Sequence, residues 1–377
     1  MGAVNREKQA SPLSVLMCNV WRTANVVLNR YLGRPPRYLP VLLLFVTERC
    51  NLRCRSCGVC DLAALSAKKD VLSAAQWKHV LKTAAEKLGT TLVSISGGEP
   101  LLRTDIYEII SSAVDNGMSV HICTNGVLID KERALLLRDS GVSTVSISLE
   151  SPDQETHDYL RGVNTFPAVV DAIKMLRDYA PRVRIGINYL ITRRNYRNMA
   201  EMVAFAESLG VHQLKFAPIH TNLLHRHKAK DEYDDLLFRE EDLAELEREV
   251  NRARKACAGS TLATTSDAFF SGMVQLYRSP KKFRCYAGYA VCAINASGDV
   301  SPCCDKDSRF NVLKQPLDVI WRDREFHKLR KQVHRCKAEC WDTTNTELSL
   351  RLRPFSLLSD FSRNWNDLLY YFGRRQK

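Results

Sequence analysis

Long apolar stretches are missing from this 377-residue chain. The longest, Val41–Val46, falls far short of the roughly 20 residues that a membrane-spanning helix needs. No apolar segment with a cleavage site follows Met1, so secretion is not expected. The thirteen cysteines then read as intracellular metal ligands rather than as a disulfide scaffold, which belongs to short secreted chains. Internal repeats and low-complexity segments are also lacking. So is an aromatic and basic RNA-binding module. The formal charge of +13 and a pI near 9.2 therefore do not by themselves make a nucleic-acid protein. They fit an anionic membrane surface or an acidic substrate equally well. What is present is ordinary for a folded protein: 45% hydrophobic and 26% charged residues, with length for one large domain and a smaller one. A cytoplasmic location is expected, with a peripheral place on the inner face of the membrane as a further option.

From Val41 to Pro218 strand-like runs alternate with helical patterns. The runs are Val41–Val46, Leu92–Ser96, Ser119–Cys123, Thr144–Ser148, Val183–Leu190 and Gln213–Ala217. The helical patterns include Ala74–Leu88, opened by the capping pair Ser73 and Gln76, then Asp105–Val114, Lys131–Asp139, Phe166–Tyr179 and Met199–Leu209. Near-continuous apolar strands with helices between them imply a parallel sheet covered by helices. Six such units predict an α/β fold, a partial (β/α)6 TIM-type barrel whose site lies on loops at the strands' C-terminal ends. The chain then divides into an N-terminal amphipathic helical extension (1–38), the barrel (39–221), a charged helical bridge (222–280), a small cysteine-bearing unit (281–345) and an amphipathic tail (346–377). In the extension, apolar positions from Leu13 to Tyr31 recur at helical spacing. That helix either packs on the barrel or lies at a membrane interface, since Trp21 and Tyr31 stand beside Arg22 and Arg30. The tail carries Leu357, Phe361, Trp365 and Phe372 on one helical face, and either caps the barrel or extends the interfacial surface.

Directly after the first strand, Cys50, Cys54 and Cys57 follow a C-x3-C-x2-C spacing. Three thiolates on one loop can hold three corners of an iron–sulfur cluster and leave one iron open. The nearby Cys60 permits other readings, a four-cysteine zinc site or a thiol redox pair. One β/α unit later comes the segment Gly97, Gly98, Glu99, Pro100, whose paired glycines allow close backbone approach to a ligand. The two motifs in this order resemble the radical S-adenosylmethionine (radical SAM) superfamily, although Ser56 stands where an aromatic residue is usual. The resemblance implies a 4Fe–4S cluster on Cys50, Cys54 and Cys57 whose open iron binds S-adenosylmethionine. It implies that Gly97–Pro100 meets the amino group of that ligand. Asn125, in the turn Cys123-Thr124-Asn125-Gly126, matches the family's TNG turn, while Cys123 itself reads as a core residue. Ser148 and Glu150 match the segment that contacts the ribose, with Glu150 where aspartate is usual. Arg161, closing the His157–Gly162 segment, would pair with the carboxylate, a task that suits a guanidinium fork. Asn188 on the fifth strand is a further candidate.

A second cysteine group lies toward the C-terminus. Cys285, Gly298 and Cys303 have the spacing that opens a SPASM or twitch domain, and Cys336 and Cys340 follow. The resemblance implies one auxiliary 4Fe–4S cluster in a small twitch-like C-terminal domain, because no cysteine follows Cys340. Cys292 and Cys304 lie close enough to replace a ligand, and a zinc site from the same residues is the alternative. Cys18 and Cys257 read as idle or buried thiols. The family's chemistry implies an oxidoreductase or transferase. An external flavodoxin or ferredoxin reduces the first cluster, and a 5′-deoxyadenosyl radical abstracts hydrogen from the substrate. The auxiliary cluster relays an electron. A small-molecule or lipid-like precursor is the expected substrate, with a ribosomally made peptide or an RNA as alternatives. No residue can be named from the sequence as general acid or base.

Overall fold

The computed structural model describes residues 12–59, 71–219, 230–279, 283–306, 308–336, 340–353 and 370–372. Helix α1 (Pro12–Leu32) leads into β1 (Val41–Phe45), α2 (Ala74–Leu88), β2 (Leu92–Ser96), α3 (Ile106–Asp115), β3 (Ser119–Thr124), α4 (Lys131–Asp139) and β4 (Thr144–Ser148). There follow α5 (Gln154–Arg161), α6 (Phe166–Tyr179), β5 (Arg184–Ile191), α7 (Met199–Ser208), β6 (Gln213–Pro218), α8 (Leu243–Ala258) and the short β7 (Ala263–Thr264). The C-terminal part adds α9 (Asp267–Met273), α10 (Gln275–Arg278), β8 (Val291–Ile294), β9 (Val300–Ser301), α11 (Leu317–Arg322), α12 (Arg324–His334) and α13 (Asn345–Arg351).

The strands form one sheet in the order β7-β6-β5-β4-β3-β2-β1-β8-β9. β1 to β6 run parallel, as the alternation of strand and helix predicts, and make the partial barrel; the short β7, inside the expected helical bridge, adds a further parallel strand beside β6. The cysteine-bearing unit is joined to the same sheet, because β8 pairs with β1 from Val41↔Val291 to Leu44↔Ile294 and β9 turns back antiparallel. The expected capping box at α2 is present: Gln76 N–H donates to Ser73 Oγ (3.4 Å) and Ser73 N–H to Gln76 Oε1 (2.8 Å).

One expectation needs correction. The barrel strands are not apolar on both faces. Leu42, Val93, Ile122, Val145 and Ile187 are buried against the helices, whereas Ser94, His121, Ser146, Asn188 and Lys215 occupy the alternate positions. His121 Nδ1 lies 3.0 Å from Ser94 Oγ and its Nε2 lies 2.9 Å from Ser146 Oγ. The concave face is thus polar, and the period-2 side-chain pattern separates it from the helix-packed face. Cys123 belongs to this face rather than to the apolar core, with Asn188 Nδ2 3.8 Å from its sulfur. Cys257, in contrast, is buried in the core.

Helix α1 packs against the sheet and the C-terminal part. Val26 contacts a cluster with Leu43, Tyr289 and Val291, Trp321 Nε1 donates to Pro36 O (3.0 Å) and His327 Nε2 lies 3.0 Å from Gly33 O. Its opposite side leaves Trp21 66% and Leu28 57% exposed. Tyr370 and Tyr371, at the end of the tail, reach the bottom of the concave face: Tyr370 Oη lies 3.2 Å from Ser146 Oγ, and Tyr371 O accepts from Ser119 Oγ. Of the tail's apolar stripe, Phe372 is exposed, and Leu357, Phe361 and Trp365 lie outside the described residues, as do Cys60 and the Cys18 side chain. Among the described residues, no helix is long and apolar enough to cross a membrane.

Candidate active site and cysteine centres

The loop after β1 is fixed from three directions. Thr47 O accepts from Gly98 N–H (2.7 Å) and Arg49 O from Glu99 N–H (2.8 Å). Asn51 Oδ1 accepts from Asn125 Nδ2 (2.8 Å), which ties the loop to the end of β3. Arg55 N–H donates to Leu160 O (3.1 Å), which ties it to α5. Glycine is required at these contacts. A Cβ on Gly97 or Gly98 would overlap the Thr47 or Arg49 carbonyl, and one on Gly162 would lie 2.7 Å from Arg53 O. Gly97 and Gly162 also hold φ of 152° and 76°, which side chains rarely adopt. The close approach expected of the paired glycines is therefore made to the cysteine loop itself.

Glu99 is fully buried. Its carboxylate accepts from Thr124 Oγ1 (2.8 Å), Asn125 N–H (2.8 Å) and Leu101 N–H (3.1 Å). Burial raises its pKa and these three bonds offset part of that rise. Pro100 starts a short 3-10 turn behind it.

Glu150, at the end of β4, is likewise buried, and its pKa is raised by burial against the opposing pull of Arg161. Oε1 lies 3.3 Å from Arg161 Nη1, and Oε2 accepts from Leu190 N–H (2.8 Å). Arg161 is only 9% exposed. Burial disfavours its charge, yet the neighbouring Cys54, Glu150, Cys57 and Cys50 raise its pKa overall. Its Nε is buried with no hydrogen-bond partner among the described residues. A buried donor of that kind normally has an acceptor, so the arginine is poised for an anion. The Cys54 thiol is pushed up to about 11, by burial first, with Arg161 opposing. Ser148 and Asn188 sit side by side in the β4–β5 register.

Two residues that sequence reasoning passed over hold this arrangement. His157 Nδ1 accepts from Glu150 N–H (3.1 Å), and its Nε2 lies 3.2 Å from Thr165 Oγ1. Buried there, its pKa is lowered to about 4. A neutral ring accepting at Nδ1 must carry its proton on Nε2. Asn195 Nδ2 donates to Glu150 O (2.7 Å) and Leu190 O (2.8 Å). The signal for His157 was its place in the segment ending at Arg161; Asn195 carried none.

In the second group, Cys285, Cys303, Cys304 and Cys340 act on one another or on the shared Asp342. Cys340 Sγ lies 3.2 Å from Asp342 Oδ2, and Ala287 N–H points at Cys285 Sγ (3.4 Å). Burial pushes the Cys285 thiol up to about 12. A hydrogen bond from the Cys304 thiol lowers the pKa of Cys303 and raises that of Cys304 itself. Cys336 follows α12, its N–H bonded to Val333 O (3.2 Å). Cys292 lies in the core, with its Sγ 3.3 Å from Ser301 O. Among the described residues, no three His, Cys, Asp or Glu side chains converge on the position of a single ion.

Comparison with known proteins matches two regions of the chain, each holding one of the cysteine groups. The model of the radical SAM superfamily matches residues 44–206, and that of an iron-sulfur cluster-binding domain, SPASM, matches residues 285–342. The chain is 30% identical over 308 residues to the AdoMet-dependent heme synthase of Nitratidesulfovibrio vulgaris, covering 76% of this chain and 80% of that protein. It is 31% identical over 303 residues to the mycofactocin maturase MftC of Mycolicibacterium smegmatis, covering 78% of this chain and 73% of the maturase. Among solved structures, Streptococcus suis SuiB bound to the precursor peptide SuiA is similar in fold, with a TM-score of 0.63 at 20% identity over 87% of this chain and 74% of that one.

Proposed function

The chain belongs to the radical SAM superfamily, and from that premise we propose that it abstracts hydrogen from a polar small-molecule precursor seated on the concave face of the barrel. It is an enzyme whose cofactors are a 4Fe–4S cluster, S-adenosylmethionine and an auxiliary iron–sulfur cluster. When bound, the first cluster supplies the electron that cleaves S-adenosylmethionine to the deoxyadenosyl radical.

The chain's own part is to bind and orient. Cys50, Cys54 and Cys57 are assigned to the first cluster. Gly98 and Glu99 spend their N–H groups on the cysteine loop, so the acceptors of Gly97–Pro100 are what this segment offers an ammonium group. Arg161 is assigned to the carboxylate, with Glu150 holding its guanidinium, and Asn125 steadies the loop through Asn51. Ser148 and Asn188 are assigned to the sugar. Cys285, Cys303, Cys336 and Cys340 are assigned to the auxiliary cluster, with Cys304 donating to Cys303. The Arg161 Nε, buried beside three thiols with no hydrogen-bond partner among the described residues, is the observation that carries the reading. A flavodoxin or ferredoxin is the proposed reductant.

Ser94, His121, Asn188 and Lys215 on the concave face favour a polar substrate over a lipid-like one. A peptide is the second reading, favoured by the likeness to MftC. A peripheral place on an anionic membrane would draw on the exposed Trp21 and Leu28 of α1; sedimentation with anionic vesicles tests it. For the chemistry, the anaerobically reconstituted protein is assayed for iron, and for deoxyadenosine after addition of S-adenosylmethionine and dithionite. About eight irons should fall to about four in Cys50→Ala/Cys54→Ala/Cys57→Ala, and the product should vanish. Full product formation by that variant would sink the reading. Deuterated small-metabolite and peptide fractions of the host extract then separate the two substrates by which one transfers deuterium to deoxyadenosine.

A further inference from the structure

Arg30 lies in the last turn of α1, yet it reaches the second cysteine group. Its Nε donates to the main-chain oxygen of Cys285 at 2.7 Å, across 255 positions of sequence. The guanidinium carbon lies 5.2 Å from the centre of the Tyr289 ring, and the residue is 7% exposed. One turn earlier on the same helix, Val26 packs with Tyr286, Tyr289 and Val291, on either side of the same turn. Next to it, Arg284 stands 3.7 Å over the Tyr31 ring. Helix α1 therefore delivers a buried cation to the main chain of a proposed cluster ligand.

An added electron makes an iron–sulfur cluster one unit more negative. Net charge and hydrogen bonding around the sulfurs set its potential, and a cation in a site of low dielectric is weakly screened. A guanidinium stays charged at any working pH. We propose that Arg30 is a positioning residue of the auxiliary centre, fixing the Cys285 main chain and favouring the reduced state of the auxiliary cluster through its charge. This rests on the assignment of Cys285 to that cluster. The N-terminal helix is on this view part of the electron relay rather than a separate extension.

The test uses full-length protein, reconstituted anaerobically in the Cys50→Ala/Cys54→Ala/Cys57→Ala background so that the auxiliary cluster is read alone. Arg30→Gln keeps a donor and removes the charge; Arg30→Lys keeps the charge. Each is titrated with dithionite through redox mediators and followed by electron paramagnetic resonance. The expected result is a potential moved to more negative values in Arg30→Gln, about tenfold in the reduction equilibrium or ~59 mV for one electron, and little moved in Arg30→Lys. Potentials that move together in both variants, or in neither, would overturn the charge role. If Arg30→Gln fails to retain the cluster, retention by Arg30→Lys supports the proposal, and loss from both reduces Arg30 to a structural peg. Cys285→Ser checks the premise separately: about four irons retained with an unchanged signal would remove Cys285 from the ligand set and the inference with it.

Discussion

Gly97, Gly98 and Gly162 hold the cysteine loop by having no side chain. Each sits where a Cβ would meet a carbonyl of Thr47, Arg49 or Arg53, so the loop cannot close over the strand ends if any of them grows. Gly98→Ala should displace the loop and leave about four irons in place of about eight, with no deoxyadenosine formed. Gly117→Ala is the control. It has a positive φ of 76°, which Gly98 does not, but a Cβ there meets nothing within 4 Å, so the change should cost only ~1 kcal/mol of stability and keep both clusters. Iron analysis and product assay distinguish the two. Arg161 makes a second case at this scale. A lysine there keeps the charge but loses the planar fork, so Arg161→Lys should retain full iron while KM for S-adenosylmethionine rises about tenfold or more. An unchanged KM would take Arg161 out of the ligand site.

Between residues and fold stands the element α5, which places Arg161 and is itself secured by His157. The ring accepts from Glu150 N–H only when neutral, and burial has lowered its pKa from about 6.5 to about 4. Below about pH 6.5 the unfolded chain takes up a proton that the folded chain refuses. Stability contributed here is thus fully present above that pH and is lost as pH falls toward 4, by at most ~3 kcal/mol. Urea unfolding at pH 7.5 and pH 5 should show this loss in the wild type and a smaller one in His157→Asn, whose side-chain oxygen can still accept the bond. The elements themselves were readable. Ala74–Leu88, Lys131–Asp139 and Phe166–Tyr179 coincide with the helices expected, because each combines apolar periodicity with a capping or breaking residue. The polar concave face was not read, because five-residue strands such as Leu92–Ser96 and Thr144–Ser148 are too short for alternation to outweigh their apolar half. Residues of the site on loops, Cys50 to Cys57 and Gly97 to Pro100, were legible because their spacing carries the chemistry. Asn195, which acts through two main-chain oxygens, has no pattern that a sequence displays.

At the scale of the whole molecule, the ends of the chain serve the middle. Tyr370 and Tyr371 reach the floor of the barrel, α1 bridges the sheet and the turn before β8, and the segment after it, through Gly33 and Pro36, meets α12 and α11. Helical spacing alone could say that α1 has an apolar side but not what covers it, because much of the cover comes from residues more than two hundred positions away. The contacts decide between an appended helix and an integral one. Removing residues 1–38 would uncover Tyr286, Tyr289 and Val291, leave Trp321 Nε1 without Pro36 O, and take Arg30 from Cys285. Uncovering several large apolar side chains costs ~1.5–3 kcal/mol each, which is a large share of the 5–15 kcal/mol by which a folded domain is stable. The truncated chain should therefore melt at a markedly lower temperature and lose auxiliary iron before it loses iron from the first centre. The first loop is tied to the ends of β2 and β3 and to α5, whereas the contacts described for α1 run to β1 and the C-terminal part. Calorimetry together with iron counts would show this order. Equal loss from both centres would mean that α1 stabilises the fold as a whole, and an unchanged melting temperature would return it to the status of an appendage.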